Sequence, residues 1–353
     1  MRIPIENIYF LLCYAWNKLD EKERINISIE DTTELVDLFA KILINITKTL
    51  FKRGLDHNYI DKTDEILGIK GKLLFSQTLK SGILQKQSTI CVYDEFSSNI
   101  LTNQILVTTI HQLIKTKRLD KNLRNELILL VRMFPDISKI KINSSLFKKI
   151  RLNRNNKFYS FILNVCQIIH ESLLPTENEG EYAFSDFLRD ENKMAYLFES
   201  FVRNFYIIEQ KDYQVRRETI YWNFDEIGEG NNIYLPQMQT DITLESENSK
   251  IIIDAKFYSE TMSKNYGQKK IQSSNLYQLF SYLMNQRDQS SKTQTTTGIL
   301  LYPTVDEDYD LHYRYGTHDI QIRTINLNTN WRNISGRLKE IIKNPSRVQI
   351  VCK

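Results

Sequence analysis

The apolar run Ile251–Ile253, which continues directly into Asp254, Ala255 and Lys256, constrains the fold of this chain more than any other segment. Because side chains on a strand alternate between its two faces, Asp254 and Lys256 point to one face while Ala255 points to the other. A run that is apolar on both faces predicts a central, buried strand. A charge at the end of such a strand is costly unless it is paired or binds a metal. The alternative is a solvated strand edge, where an Asp-x-Lys pattern is common.

A second segment with strand character, residues 232–244, contains Asp241 and precedes the apolar strand, which we predict over residues 250–258. The polar segment Glu245–Lys250 predicts a hairpin turn between the two strands. The hairpin would bring Asp241 beside the Asp-x-Lys pair. Two carboxylates that share Mg²⁺, with an ammonium group nearby, are what metal-dependent phosphodiester hydrolysis needs. In that chemistry the carboxylates hold the metal, and the lysine orients or helps to deprotonate a water molecule.

Two predicted helices flank these strands in the sequence. Residues 191–208 repeat apolar side chains at helical spacing, and Glu199 lies at the edge of the apolar stripe. Residues 271–285 predict a second helix, on which Gln278 and Tyr282 are spaced i, i+4 and can reach one target together. The alternatives are a solvated flank position for Glu199, which we favour for that residue taken alone, and ordinary helix-edge packing for Gln278 and Tyr282.

The order of these elements resembles the PD-(D/E)xK nuclease superfamily, particularly its branch with a Gln-x-x-x-Tyr motif after the lysine strand. The resemblance implies a metal-binding set composed of Glu199, Asp241, Asp254 and the backbone carbonyl of Ala255. It also implies that Asp241, Asp254 and Lys256 are catalytic, and that Gln278 and Tyr282 contact DNA or support the site. Thr240 stands where the superfamily name places a proline, at a position that varies within the superfamily.

Four segments, distributed over nearly the whole chain, resemble the McrC family of nuclease subunits. They are Asn7–Trp16, Gly68–Phe75, Asp254–Tyr258 and Asn275–Leu279. The resemblance implies an endodeoxyribonuclease of a modification-dependent (type IV) restriction complex, which cleaves double-stranded DNA carrying a modified cytosine such as 5-methylcytosine. It implies a partner, a hexameric McrB-like AAA+ GTPase that recognises modified DNA and translocates. The chain would cap that ring, stimulate its GTPase through an N-terminal finger-like region, and cut the DNA with Mg²⁺ as cofactor.

Length and composition fit this class of protein without defining it. The chain has 353 residues, of which 41% are hydrophobic and 25% charged, so we expect two globular domains. The formal net charge of +4 gives only weak support for nucleic-acid binding. The 4 cysteines lack metal-ligand spacing and are typical of reduced thiols. No apolar run is long enough to span a membrane and no secretory signal is present, so we expect a cytoplasmic protein without membrane contact.

We place the main domain boundary near residue 155. Residues 1–155 would form a mainly helical, partner-binding domain with a small β-rich projection at residues 58–96, where glycines punctuate short apolar pieces. Residues 156–353 would form an α/β nuclease domain with a mixed central sheet. Predicted helices span residues 7–19, 31–52, 99–116, 122–133, 159–172, 191–208, 271–285 and 329–342. Predicted strands span 232–244, 250–258, 297–302 and 320–326. Residues 175–186 are predicted to form a loop, and residues 312–318 a hairpin.

Lysine clusters are the remaining candidate sites. Lys70, Lys72 and Lys80 lie on the β-rich projection, and by resemblance the first two would stimulate the partner GTPase. The alternative for these lysines is a solvated hairpin tip. A second cluster, composed of Lys264, Lys269 and Lys270, follows the lysine strand and could hold the DNA backbone. A third, Lys148–Arg154, lies near the expected domain junction. Charge runs are more often solvated faces than binding sites.

Several chemistries are excluded by missing motifs. No G-x-x-x-x-G-K-[ST] sequence is present, so GTP would be bound by the partner and not by this chain. No G-x-S-x-G, H-E-x-x-H or dinucleotide-binding glycine pattern occurs. Two alternative functions stay open: an adaptor that organises a GTPase ring and has lost cleavage, and a stand-alone endonuclease that selects its own site. An adjacent gene for a P-loop GTPase would discriminate between these alternatives.

Overall fold

The computed structural model describes residues 3–16, 34–175, 182–185, 188, 190–224, 234–258, 263–265, 268–286, 290–305 and 308–343. For residues 174–175, 263–265 and 268–270 only the backbone is described. The chain forms two compact units. The sheet unit comprises Met1–Asp31 and Asp186–Lys353, and the inserted unit comprises Thr32–Ser185.

This division differs from the boundary predicted near residue 155, for two reasons of packing. The first helix, α1 (Ile5–Ala15), packs in the sheet unit although it is encoded at the opposite end of the chain. The helix that begins at Tyr159 packs in the inserted unit, where the Tyr159 hydroxyl donates a buried hydrogen bond to Asn103 Oδ1 at 2.5 Å. Both contacts join residues far apart in sequence, and neither is signalled by local composition.

The inserted unit is mainly helical, as predicted. Its helices are α2 (Leu35–Arg53), α3 (Phe75–Ser81), α4 (Leu101–Ile114), α5 (Lys121–Met133), α6 (Ser144–Lys149) and α7 (Tyr159–Ser172). Helix α2 begins after Glu34 and ends at Arg53, and the Gly54 that follows it has a φ of 89°, a value that favours glycine. Asp31, the predicted cap of this helix, lies outside the described residues.

The β-rich region predicted over residues 58–96 contains a three-stranded antiparallel sheet. Its strands are β1 (Asn58–Leu67), β2 (Lys72–Leu73) and β3 (Ser88–Ser97), in the order β1-β3-β2. Helix α3 and a short 3-10 turn, Ile83–Lys86, connect β2 to β3. The apolar piece that begins at Lys72 is therefore strand only at its first two residues. The loop predicted over 175–186 also differs, since β4 (Leu173–Pro175) pairs with β5 (Tyr182–Phe184).

The sheet unit contains the predicted mixed sheet. Its further helices are α8 (Glu191–Glu209), α9 (Ser273–Met284), α10 (Ser291–Gln294) and α11 (Trp331–Lys343). Its strands are β6 (Gln214–Arg216), β7 (Thr219–Ile220), β8 (Met238–Gln239), β9 (Ile242–Glu245), β10 (Lys250–Ala255), β11 (Ser263–Asn265), β12 (Gln268–Lys270), β13 (Thr297–Thr304), β14 (Asp310–Tyr315) and β15 (His318–Asn326). The six-stranded sheet has the order β14-β15-β13-β10-β9-β6. Strand β10 is central, parallel to β13 and antiparallel to β9. The predicted hairpin at residues 312–318 is confirmed by the pairing of β14 with β15.

Strand β10 is buried along its whole length, which confirms the prediction from the Ile251–Ile253 run. On one face its Ile252 packs with Leu279 and Leu283 of helix α9. Gly298 on β13 allows this helix to approach the sheet closely, because a Cβ atom there would lie only 3.0 Å from Leu283 Cδ1. Close packing of α9 fixes the position of every polar side chain that the helix carries toward the end of β10.

The predicted strand 232–244 is interrupted in the structure. Strands β8 and β9 are separated by Thr240 and Asp241, and residues 232–233 lie outside the described part of the chain. Thr240 is fully buried. Its backbone amide donates to Glu218 O at 2.9 Å and so takes no part in the β9–β10 ladder. The interruption places Asp241 on a corner instead of within a strand. In the described helices, no segment has both the length and the apolar character needed to cross a membrane.

Candidate active site

Asp241 and Asp254 meet where the β9–β10 ladder ends. The last paired residues of that ladder are Ile242 and Ile253, so Asp241 and Asp254 are the next positions on the two strands. The ladder does not continue there. Instead, the backbone amide of Ala255 donates a hydrogen bond to Asp241 Oδ2 at 3.0 Å. The side chain of Asp241 thus takes the place of a backbone acceptor, and this holds its carboxyl group beside Asp254.

Asp254 is fully buried at the end of the central strand. Its Oδ1 atom accepts a hydrogen bond from Lys256 Nζ at 3.1 Å, as expected for two side chains on one face of a strand. Its Oδ2 atom lies 2.9 Å from the same nitrogen, yet it is buried and forms no hydrogen bond with the described residues. This buried oxygen thus has one ion-pair partner and no aligned hydrogen bond, which makes it a candidate ligand for a second cation.

Helix α9 supplies the remaining polar contacts of the site. Gln278 Oε1 accepts a hydrogen bond from Lys256 Nζ at 3.0 Å, and Gln278 Nε2 donates to the Tyr282 hydroxyl at 2.7 Å. Tyr282 in turn donates to Gln239 O at 2.9 Å, just before the corner that carries Asp241. A continuous chain of hydrogen bonds therefore runs from the lysine through the helix to the corner. The two members of the i, i+4 pair contact each other but not one shared target, since Gln278 contacts Lys256 and Tyr282 contacts the Gln239 carbonyl.

The two carboxyl groups alter each other's protonation. Burial, followed by the charge of Asp254, raises the pKa of Asp241 from 3.8 to about 7. Burial also raises the pKa of Asp254, although the Lys256 ammonium partly opposes the change. Burial alone would lower the pKa of Lys256, but the two aspartates outweigh it and raise that pKa. In the absence of a metal, the site thus retains a proton near neutral pH and a charged lysine.

Glu199 is near this site but is engaged elsewhere. It lies on α8, and its Oε1 atom accepts a hydrogen bond from Arg203 Nη1 at 2.7 Å. The same oxygen accepts a second, short hydrogen bond from Arg217 Nη2. Its charge still raises the pKa of both aspartates, so the three carboxylates interact electrostatically. The solvated flank position that we favoured for Glu199 taken alone does not describe it, because its side chain is only 15% exposed.

The donor set fits a divalent cation held by two carboxylates. Carboxylate and carbonyl oxygens are hard ligands, and Mg²⁺ is commonly bound by one or two carboxylates while it keeps several waters. Asp241, the open Oδ2 atom of Asp254 and the backbone carbonyl of Ala255 supply such oxygens. Within the described ranges, no group of three or more His, Cys, Asp or Glu side chains is arranged to hold a metal. In the described structure, Glu199 is therefore not arranged to bind a metal together with Asp241 and Asp254.

The predicted lysine sites lie away from this pair in the sequence and are described to different extents. Lys264, Lys269 and Lys270 lie on the antiparallel strands β11 and β12, but their side chains are outside what the structure describes. Lys70 lies in the inserted unit with its Nζ 3.9 Å from the centre of the Tyr93 ring. Lys72 is exposed on β2, opposite Val92 of β3.

Sequence reasoning missed two charged residues behind the site. It placed Lys250 where a polar turn meets the predicted strand 250–258 and gave it no partner, whereas its side chain is only 4% exposed. Its Nζ atom contacts Glu218 Oε1 at 2.9 Å. The missed signal is periodicity, because Lys250, Ile252 and Asp254 share one face of the strand. A lysine in register with a buried strand predicts a buried partner, and Glu218 is that partner.

The fold and the site define a chain with a central mixed sheet and an acidic pair with one lysine at the end of its middle strand. A family model described as "McrBC 5-methylcytosine restriction system component" matches residues 6–303. Over 339 residues the chain is 32% identical to the type IV methyl-directed restriction enzyme EcoKMcrBC of Escherichia coli K12, with 96% of this chain and 97% of that protein covered. The chain therefore belongs to the McrBC restriction system component family, which confirms the resemblance found in its sequence.

A solved structure extends the comparison to the fold. The chain is similar to a chain in the half-complex from the tetradecameric assembly of Thermococcus gammatolerans McrB AAA+ hexamers with bound McrC. The TM-score is 0.57 at 16% identity, and the match covers 96% of this chain and 76% of that chain. At this level of identity the likeness concerns the fold alone.

Proposed function

We propose that this chain is the DNA-cleaving subunit of a GTP-dependent restriction complex, with a PD-(D/E)xK active site built on β10. The observation that carries the proposal is the fully buried Asp254, with an open oxygen, next to Asp241 and Lys256. A structural salt bridge would need only one carboxylate. A second buried carboxylate beside the first is destabilising unless a cation is bound, and that cost points to a function.

The residues of the chain have separate roles in the proposed reaction. Asp241, Asp254 and the Ala255 carbonyl would bind Mg²⁺, which supplies charge neutralisation at the scissile phosphate and a more acidic water. Lys256 would orient the attacking water and add positive charge near the phosphate, since Gln278 and Asp254 hold its ammonium group on the face that carries both aspartates. Gln278 and Tyr282 would fix that lysine, and Glu199 would tune the charge of the pair through its effect on both carboxyl groups.

The partner in this proposal is a McrB-like AAA+ hexamer that binds GTP and modified DNA. Support comes from family membership and from the fold likeness to a chain solved with McrB AAA+ hexamers. The inserted unit would contact the ring and stimulate its GTPase, through exposed residues of the β1–β3 sheet such as Lys70 and Lys72. The substrate would be double-stranded DNA with a modified cytosine, in keeping with a family of 5-methylcytosine restriction system components. Lys264, Lys269 and Lys270 would contact its backbone.

The test is cleavage of methylated and unmethylated plasmid with Mg²⁺, with and without the partner and GTP. The wild-type chain is compared with Asp254→Asn and with the matched control Asp319→Asn, an aspartate on β15 of the same sheet that pairs with Arg314. We expect methyl-dependent cutting only with partner and GTP, a loss of about 1000-fold or more in Asp254→Asn, and little change in the control. Equal cutting by Asp254→Asn would contradict the site, and cutting by the chain alone would favour an autonomous nuclease. GTPase stimulation without any cleavage would favour the adaptor alternative.

A further inference from the structure

Lys250 is a buried charge at the end of β10 opposite to the catalytic aspartate. Its Nζ atom donates to Glu218 Oε1 at 2.9 Å and to Gln286 Oε1 at 2.6 Å. Burying an ammonium group is unfavourable unless good partners compensate, and breaking such a set leaves an uncompensated charge. Glu218 depends on this lysine, because its other cation, Arg216 Nη2, is 3.7 Å from the same oxygen. The three side chains therefore hold one another in place.

The first partner connects Lys250 to the corner that carries Asp241. The Glu218 amide donates to Thr240 Oγ1 at 2.9 Å, and the Thr240 amide donates to Glu218 O at 2.9 Å. Thr240 Oγ1 also lies 2.9 Å from Thr243 Oγ1, within the buried start of β9. Since Asp241 follows Thr240 directly, the backbone of Glu218 determines where the Asp241 carboxyl group begins.

The second partner connects Lys250 to the helix that holds the catalytic lysine. Gln286 follows the end of α9, and its Nε2 atom donates to Tyr282 O at 2.8 Å. Tyr282 in turn contacts Gln278, and Gln278 contacts Lys256. Through Gln286, Lys250 thus connects the end of α9 to the start of β10 by hydrogen bonds. A shift of the helix along the strand would move Gln278 relative to the ammonium group that it orients.

We propose that Lys250 is a positioning residue for the Asp241–Asp254–Lys256 site, acting through Glu218 on one carboxylate and through Gln286 on the lysine. The proposal rests on the proposed function for its catalytic consequence, but its structural content does not. Lys250 contacts neither substrate nor metal. It sets the separation of groups that are held by two different elements, and such outer-shell contacts commonly change metal affinity by about 10–100-fold.

The test compares Lys250→Met with Lys292→Met in the full-length chain. Lys292 is a matched control because it ion-pairs with Glu245 at the same end of the β9–β10 pair but contacts neither Glu218 nor Gln286 among the described residues. Hydrogen exchange without metal should be about tenfold faster over residues 238–245 in Lys250→Met and unchanged in Lys292→Met. Mg²⁺ affinity, measured by calorimetry, should fall about tenfold in Lys250→Met only. Cleavage should fall with it and recover partly at high Mg²⁺ concentration.

The outcomes separate this inference from the proposed function. A wild-type chain that never cleaves DNA would remove the proposed function, while exchange and Mg²⁺ affinity would still decide the role of Lys250. A folded Lys250→Met variant with wild-type exchange and Mg²⁺ affinity would overturn the inference, as would equal effects in Lys292→Met. Should Lys250→Met fail to fold, Gln286→Ala removes only the helix branch. Unaltered Mg²⁺ affinity and unaltered exchange over α9 in Gln286→Ala would then refute it.

Discussion

The amide of Ala255 donates to Asp241 Oδ2 at 3.0 Å, so the backbone of the central strand itself holds the first carboxylate of the site. The bond crosses from β10 to the corner between β8 and β9, beyond the last ladder pair of the two strands. A side chain that replaces a missing ladder acceptor is fixed by both strands. The position of Asp241 thus depends on the backbone geometry of both strands.

Protonation of Asp241 should couple Mg²⁺ binding to pH. In the metal-free protein its pKa is raised from 3.8 to about 7, so folded chains hold a proton that unfolded chains have lost. The stability that the protonated Asp241 contributes is therefore lost as pH rises from about 4 to 7, and this group causes no further change above that. Mg²⁺ must displace the proton, so its affinity should rise up to about tenfold per pH unit below 7 and then level off. Calorimetry at several pH values measures this slope, and a flat profile would contradict the assigned pKa.

Substitution of two tyrosines on helix α9 should measure how much the helix contributes to DNA cleavage. Tyr282→Phe removes the hydroxyl that accepts from Gln278 and donates to Gln239 O. We expect the cleavage rate to fall about fivefold to tenfold, because one buried hydrogen-bond network is broken, with KM for DNA little changed. Tyr277→Phe is the matched control, since Tyr277 lies on the same helix and is 71% exposed. A larger effect in Tyr277→Phe would mean that the helix acts through DNA contact instead.

Alanine substitutions at two glycines of the inserted unit should distinguish the cost of a strained backbone from the cost of a steric clash. Gly71 has φ of 68°, and a Cβ atom there would lie 2.4 Å from Val92 O and 2.9 Å from Tyr93 Cβ. Gly82 has a similar φ of 67° but open space around it. Gly71→Ala should destabilise the unit by about 2–4 kcal/mol, against about 1–2 kcal/mol for Gly82→Ala. Chemical denaturation of the two variants measures the difference, and equal losses would mean that β3 moves away at little cost.

Exposed lysines beside Gly71 provide a test of partner contact. Lys72→Ala should reduce stimulation of the partner GTPase by about tenfold while the chain still folds, because an exposed ammonium contributes little to the stability of its own unit. Lys86→Ala, an exposed lysine on the 3-10 turn of the same region, should have no such effect. GTP turnover by the ring at saturating chain is the measurement. Full stimulation by Lys72→Ala would mean that Lys72 is an ordinary solvated residue with no role in partner contact.

The sequence predicted the elements whose signal is local. The apolar run before Asp254 predicts a central strand, and the strand is buried throughout. The helical stripe around Leu279 predicts α9, and Gln278 and Tyr282 lie close enough on it to form a hydrogen bond with each other. In each case a period of two or of about 3.6 residues determines which side chains share a face. The candidate site follows from these faces, because its residues lie at the ends of strongly patterned segments.

The features that were missed depend on contacts between distant segments. The burial of Lys250 requires Glu218, which lies 32 residues earlier. The pairing of Glu199 with Arg217 spans 18 residues. The domain boundary fails for the same reason, since Asn7 of α1 donates hydrogen bonds to Leu327 O and Thr329 O, both at 2.8 Å. Local composition contains no information about which distant residues will be partners, because these contacts are determined by the packing of the whole unit.

The packing of α1 in the sheet unit has a consequence for synthesis in the cell. Phe10 stacks on Trp331 at 4.7 Å, so the first described helix belongs to a core whose later components are synthesised long after it. Until the ribosome has released Trp331, α1 can pack only on the earlier part of that core, which includes Phe201 and Phe205 of α8. A chain that ends before the groups that Asn7 and Phe10 contact leaves α1 without those partners. If the site cuts DNA as proposed, this topology makes an incomplete polypeptide a poor nuclease and protects the chromosome from it.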